Sequence, residues 1–373
     1  MIYLDYQATT PVAPEAAAAM RPWIDDRFGN PHSPHRLGRE AAAAVALARG
    51  EVAAAMDAAE DEIYFCSGAT EAANMALKGA AARLPAGRRK IVTLASEHAC
   101  VLDTAEWLGG QGFEIEIVPI QADGLVDLAY LAETIDERTG IVAAMLVNNE
   151  IGVIQPLAAI SALARAQGAL LFCDAVQAFG RVPIPLEQYD MVAVSAHKVH
   201  GPKGIGALWL RNGVAIDPLL HGGGQEGGIR SGTLSPALCA GFGAAARLLR
   251  ERGAADKAHV EALWAAAWGA LGDDWRLNGS AEQRYHGNLN IRAPGIDAAR
   301  LISEVREVAF SAGSACASGS GRPSHVLSAL GLSAVEARSS IRLGFGRYTK
   351  EQDLVRALTL IDDAARLQRS FAA

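Results

Sequence analysis

Short apolar runs bounded by turn formers recur through the first two-thirds of the chain, alternating with Ala- and Leu-rich stretches of helical spacing. The runs read EIYFC, KIVTLA, FEIEIVPI, GIVAAMLV, ALLFCDA and DMVAVS. Their order predicts an α/β fold, a mostly parallel sheet covered by helices. In such a sheet ligands bind where the carboxyl ends of strands open into loops. The residues just after each run are therefore the first candidates for function. An Ala-rich stretch from about Pro236 to Leu271 predicts a long helix suited to bridging two domains. Beyond it GNLNIRA, EVAFSAG and SSIRLGF predict strands, with helices near 297–305 and 350–367, the pattern of a smaller α+β domain.

Composition agrees with two domains: 373 residues at 50% hydrophobic content can bury more than one ordinary core. The formal net charge is -7, and neither sign forms long runs, so there is no electrostatic footprint for nucleic acid or an anionic membrane. A small-molecule partner is expected instead. The start, MIYLDYQATTPVAP, has neither a basic leader nor an apolar core, and no apolar run approaches the roughly 20 residues that span a bilayer. The expected location is the cytoplasm. Five cysteines, odd in number and never in a CxxC pair, argue against a disulfide framework or a zinc site. Cys66, Cys100, Cys173 and Cys239 sit in or beside apolar or helical segments, as small buried hydrophobes do. Cys316, inside FSAGSACASGSG, has no such setting.

Lysine is scarce, with six against 28 arginines, and Lys198 directly follows the run ending at Val194, at the predicted ligand edge. A lysine in a partly apolar pocket there is a nucleophile able to form a Schiff base; the competing reading is a surface lysine in a turn. Asp174 ends another run, with Gln177 three residues on. A buried carboxylate needs a partner, such as a protonated pyridine nitrogen, unless it only caps the next turn. CSGATEAAN runs from strand through a glycine turn into a helix, a site for a phosphate at Ala69 and Thr70, with Ser67 as an N-cap the plainer alternative. No nucleotide P-loop or dinucleotide fingerprint is present. His98 can lie over a flat ring and His197 can donate to a phosphate, although single histidines are more often structural. His32 and His35 are split by Pro34, which removes the helical spacing a metal pair needs.

Taken together, YLDYQATTP, GNPHSPHRLGREA, SGATEAAN, SEHACVLD, VNNEIGVIQP, CDAVQAFG, SAHKVHGPKGIGAL, GGGQEGGIRSGT, SAGSACASG and SSIRLGFGR span almost the whole chain. This ordered set resembles the NifS/IscS-like cysteine desulfurases, pyridoxal-phosphate enzymes of the class V aminotransferase family. The resemblance implies a pyridoxal-phosphate-dependent transferase fold of type I. Its large domain, 13–254, would hold a mostly parallel seven-stranded sheet, and a small domain, 1–12 with 255–373, would carry the cysteine segment at about 311–322. It further implies that Lys198 holds pyridoxal 5'-phosphate as a Schiff base and moves protons at the substrate carbons. Asp174 would pair with the pyridine nitrogen, Gln177 with the phenolic oxygen, and His98 would stack on the ring and handle protons. The phosphate would be held by Ala69, Thr70, Ser195 and His197, with Thr233 reaching in from the other subunit of a homodimer. Arg342, assisted by Asn149, would grip the substrate carboxylate.

The activity so implied converts L-cysteine to L-alanine and leaves a persulfide on Cys316. The sulfur then passes to acceptors such as an iron-sulfur scaffold, with tRNA thiolation a further outlet and transient cluster ligation by Cys316 a further role. SAGSAC has the length of the long-loop subgroup, which favours direct transfer to a protein. The close of the chain, RLQRSFAA, is shorter than the tail by which housekeeping members dock their scaffold. The rivals are a class V aminotransferase or a selenocysteine lyase, using the same Lys198 and Asp174 without a persulfide.

Overall fold

The computed structural model describes residues 1–313 and 324–372, and Cys316 lies outside the described residues. After a short β1 (Ile2–Tyr3), the expected apolar runs form β2 (Ile63–Cys66), β3 (Lys90–Leu94), β4 (Glu114–Val118), β5 (Thr139–Met145), β6 (Leu170–Asp174) and β7 (Met191–Ser195). With β8 (Gly206–Leu210) they make one seven-stranded sheet in the order β2-β8-β7-β6-β5-β3-β4. Only β8 runs against its neighbours; the pairs from β7 across to β4 are all parallel. Every residue of β3, β5, β7 and β8 is buried, which is why these segments read as continuous apolar runs rather than as alternations. β4, at the sheet edge, keeps an exposed face.

The helices that cover this sheet are α1 (Pro14–Asp25), α2 (Arg36–Met56), α3 (Ala69–Arg83), α4 (Ala99–Gly109), α5 (Leu128–Thr134) and α6 (Leu157–Ala166). Then α7 (Pro236–Ala270) runs unbroken for 35 residues, about 52 Å at 1.5 Å per residue. Its first half packs through Cys239, Phe242 and Ala246 into the core that includes Val45 and Val52 of α2. Its second half adds Leu263 and Ala267 to a separate core with Leu289, Ile341 and Leu358.

That second core lies on an antiparallel sheet ordered β12-β13-β10-β9, built from β9 (Arg276–Leu277), β10 (Asn288–Arg292), β12 (Ser311–Ala312) and β13 (Ser340–Gly344). The expected strand EVAFSAG is in fact two. Val308–Ala309 forms β11, which pairs in parallel with β1, and after the buried Phe310 the chain joins β13 instead. Around this sheet lie α8 (Ala298–Glu304), α9 (His325–Ala329), α10 (Ala334–Arg338) and α11 (Glu351–Ala372). A smaller cluster joins Ile120, Ile151 and Val153 to Val326, Leu327 and Leu330 of α9 and its flank. Among the described residues no helix is long and apolar enough to cross a membrane.

Candidate active site

The carboxyl ends of β2, β3, β5, β6 and β7 open at one edge of the large sheet, into a cavity of about 900 Å³. Asp174, the last residue of β6, is 6% exposed and lines it. Its Oδ1 accepts a hydrogen bond from the Val176 amide at 3.0 Å, so the turn-capping role exists, and the same carboxylate also faces the cavity. Burial pushes its pKa up, against the pull of His98, the Val176 amide and Lys198. Lys198 closes a tight turn after β7 and is no surface residue of a β-turn. Its Nζ donates to the carbonyl oxygens of Gln7 at 2.6 Å and Ala8 at 2.9 Å.

Across the turn from β2 into α3, Gly68 takes φ = 155°, a conformation that disfavours any side chain. A Cβ on Gly206 of β8 would sit 2.6 Å from the Val194 carbonyl and 2.8 Å from Gly68 Cα, so the loop and strand approach through bare backbone. Gly68 occupies the N-cap position without a side-chain bond, so the alternative of Ser67 as cap is not what the chain does. Glu71, in the first turn of α3, is paired with Arg230 at 2.8 Å, which offsets its charge at a helix start. Ala69, Thr70, Ser195 and His197 all line this side of the cavity. Burial lowers the His197 pKa to about 4, helped by Lys198, Lys203 and Arg181, and its Nδ1 lies 3.1 Å from Thr9 Oγ1.

His98 ends the loop after β3 and caps α4, its Nδ1 accepting from the Cys100 amide at 3.2 Å. Burial lowers its pKa, with Asp174 acting the other way. Gln177 donates from Nε2 to the Gln7 carbonyl at 2.9 Å, and its Oε1 accepts from Arg181. Arg342 stands in the middle of β13, 2% exposed. Its Nη2 meets Asp5 Oδ1 at 2.8 Å and its Nη1 donates to the Asn149 carbonyl at 3.1 Å. Among the described residues Arg342 Nε and Asn149 Oδ1 are buried without a hydrogen-bond partner, and both residues line the cavity.

Ten residues proposed from sequence thus meet in one cavity: Ala69, Thr70, His98, Asn149, Asp174, Gln177, Ser195, His197, Lys198 and Arg342. Thr233 does not; it is exposed and apart from the cavity lining of its own chain. Sequence reasoning missed the backbone of Gln7 and Ala8, the partner Asp5, the lining residues Glu150 and His325, and the buried Glu97 that bonds to Met145 and His325 of that lining. Glu97, wholly buried, accepts from the Met145 amide at 2.7 Å through Oε1, has no partner for Oε2, and is held well above the usual carboxylate range by burial. Glu150 accepts from Ser324 Oγ, and His325 Nε2 bonds the Glu97 carbonyl at 2.8 Å. An acid beside an apolar strand end, as in SEHA and NNEIG, is the signal that could have found Glu97 and Glu150. The four cysteines expected to be buried are buried and unbonded.

The fold and the converging strand ends are those of one large class of enzymes. Residues 2–357 match the family Aminotransferase class-V, and the chain belongs to that family. Among curated relatives, the cysteine desulfurase IscS of Rickettsia bellii (strain OSU 85-389) is 44% identical over 368 residues, 96% of this chain and 90% of that protein. Its counterpart in Rickettsia typhi (strain ATCC VR-144 / Wilmington) is 43% identical over the same share of each. A solved NifS-like protein superposes with a TM-score of 0.92 at 32% identity, covering 98% of this chain and 99% of that one. The structure described as SspA in complex with cysteine gives a TM-score of 0.83 at 34% identity, covering 94% and 100%. The expected fold and family are therefore correct.

Proposed function

We propose that this chain is a pyridoxal-phosphate-dependent cysteine desulfurase, converting L-cysteine to L-alanine and passing the sulfur to Cys316. The observation that carries the reading is the placing of Lys198 and Asp174 on one wall of a cavity and Arg342, with an unspent Nε, on another.

The donor set fits the cofactor. Thr70, Ser195, His197 and the start of α3 line the one cavity and can offer hydroxyl, imidazole and backbone-amide donors to a phosphate. Asp174 is a buried carboxylate whose cost a cationic ring nitrogen would offset. Bound there, pyridoxal phosphate supplies an electrophilic carbonyl carbon and a sink for electrons released at the substrate Cα. Gln177 would meet the phenolic oxygen and His98 would cover the ring face. Thr233 would complete the phosphate site of a second copy, which fits its exposure and its absence from its own cavity.

The chain's own residues then do the following. Arg342, pre-aligned by Asp5 and the Asn149 carbonyl, takes the substrate carboxylate with its planar fork. Lys198, held near Gln7 and Ala8, moves the proton at Cα. Cys316, as thiolate, attacks the substrate sulfur: the S–S bond forms, the Cβ–S bond breaks, and the electron pair stays on Cβ. The same reading divides the chain into 13–254 and a unit of 1–12 with 255–373, a division supported by the packing of Leu4 with Leu289 and Ile341. It also places the enzyme in the cytoplasm, as a homodimer that hands sulfur to an acceptor protein such as an iron-sulfur scaffold. Free, buried cysteines suit a reducing compartment.

The test is direct. Purified protein given L-cysteine should form alanine, and sulfide when a reductant is added, with the extra sulfur mapped by peptide mass to Cys316. Cys316→Ala should abolish both; an aminotransferase would keep turning over, and sulfur on Cys66 or Cys173 would overturn the assignment.

A further inference from the structure

Of the three imidazoles that line the cavity, His98 and His325 have hydrogen bonds that assign them opposite capacities. A backbone amide can only donate, so His98 Nδ1, which accepts from Cys100, carries a lone pair. Neutral His98, the form that burial favours, therefore has its proton on Nε2. Through Nε2–H it can donate a hydrogen bond to a group in the cavity, and it cannot take a proton at Nδ1 without losing the cap on α4. His325, the first residue of α9, is the reverse case. A carbonyl oxygen can only accept, so Nε2, 2.8 Å from the Glu97 carbonyl, carries a hydrogen in every charge state. Nδ1 is left with the lone pair, on a ring exposed at the cavity wall and close enough to His98 to influence its charge. The ring is held by that Nε2 bond, and the residue before it is anchored because Ser324 Oγ donates to Glu150.

We infer that His325 is a further catalytic residue: through Nδ1 it accepts the proton of a thiol in this cavity, whereas His98 serves only as a hydrogen-bond donor, through Nε2. The inference rests on the desulfurase reading, which requires a thiolate. In the step, the S–H bond breaks, the proton bonds to Nδ1 and the sulfur keeps the electron pair; nothing is oxidised or reduced. A thiol of ordinary pKa, near 8.5, is roughly 3% ionised at pH 7, so a base in place can gain about 30-fold there and little above pH 9. The charged and titratable groups that line the cavity with the ring are Glu71, Asp103, Glu150, Asp174, Lys198, Lys203, Arg342, His98 and His197, and the buried Glu97 meets the ring through its carbonyl. All of them are unchanged by substitution at 325, so the ratio of variant to wild type isolates the histidine.

The experiment compares wild-type holoenzyme with His325→Gln, whose side-chain N–H can still reach the Glu97 carbonyl but whose amide has no basic nitrogen. Alanine formation should fall about 30-fold at pH 7 and come within about twofold of wild type at pH 9.5. Iodoacetamide labelling identifies the thiol: slower labelling of Cys316 in the variant at pH 7 assigns the proton to Cys316, and unchanged labelling assigns it to L-cysteine. A variant within about twofold of wild type at pH 7, or one with the same deficit at both pH values, overturns the inference. If His325→Gln fails to retain cofactor, ring-nitrogen NMR of the wild type decides: a hydrogen on His325 Nδ1 and a lone pair on Nε2 would sink it. A wild type that forms no alanine refutes the desulfurase reading itself, a separate result.

Discussion

The seven-stranded sheet and the four-stranded sheet both bring charged groups to one cavity, by opposite means. In the first, β3 and β7 are buried along their whole length and β6 at all but its first residue, and Asp174, His98 and Lys198 sit at or just past the carboxyl ends of these strands. In the second, Arg342 occupies the middle of β13, opposite Asn290 of β10, inside a strand that is buried at every position. Strand ends can carry polar groups because the ladder has stopped and water or ligand can reach them. A cation within a buried strand has no such outlet and must be paired where it stands. Asp5 and the Asn149 carbonyl supply that pairing and come from distant parts of the chain. The strand ends thus reach the cavity through the order of their own sheet, while Arg342 takes its pairing from residues outside its sheet.

Three substitutions or conditions probe this contrast, in falling order of effect. Lys198→Ala removes the local chemistry outright, and alanine formation should drop by at least about 10³-fold while the fold, followed by circular dichroism, stays intact. Arg342→Lys keeps the charge but loses the planar fork; KM for L-cysteine should rise about 10- to 100-fold with a smaller change in kcat, the loss of a charge-assisted hydrogen bond. Were kcat to fall instead with KM unchanged, carboxylate binding would have to be reassigned. The mildest effect is of pH on stability. His197 and His200, both following β7, are lowered to about 4 by burial, from about 6.5 in an unfolded chain. The unfolded chain binds more protons between those values, so the contribution is present above pH 6.5 and fades as pH falls towards 4. The urea midpoint should decline across that window, and His197→Asn should flatten part of the decline.

Which parts were legible follows the same division. Six apolar runs predicted six strands of one sheet; the signature is continuous where a parallel strand is covered on both faces, as in β3, β5 and β7, and broken by charges in β4, which keeps an exposed face at the sheet edge. EVAFSAG misled because its seven residues look uniform while its two halves pair with β1 and β13, a change of partner that periodicity cannot register. Lys198, Asp174 and His98 could be placed from their position after a run. The acceptors of the Lys198 amine could not, since Gln7 and Ala8 act through backbone carbonyls, which every residue possesses. His325 was missed for a related reason: one histidine outside any motif becomes informative only when the partner of each ring nitrogen is known.

The pairing of β1 with β11 sets a timetable. Ile2 lies opposite Val308 and Leu4 bonds to Ala309, so the opening residues emerge from the ribosome about 300 residues before their strand partners exist. The segment that carries Gln7 and Ala8 is thus among the first made and among the last secured, and until then the Lys198 amine lacks its finished surroundings. A nascent chain halted before residue 308 should contain most of the large sheet yet leave the segment 2–8 open to limited proteolysis. Reactive chemistry in this protein is therefore among the last features to mature during synthesis.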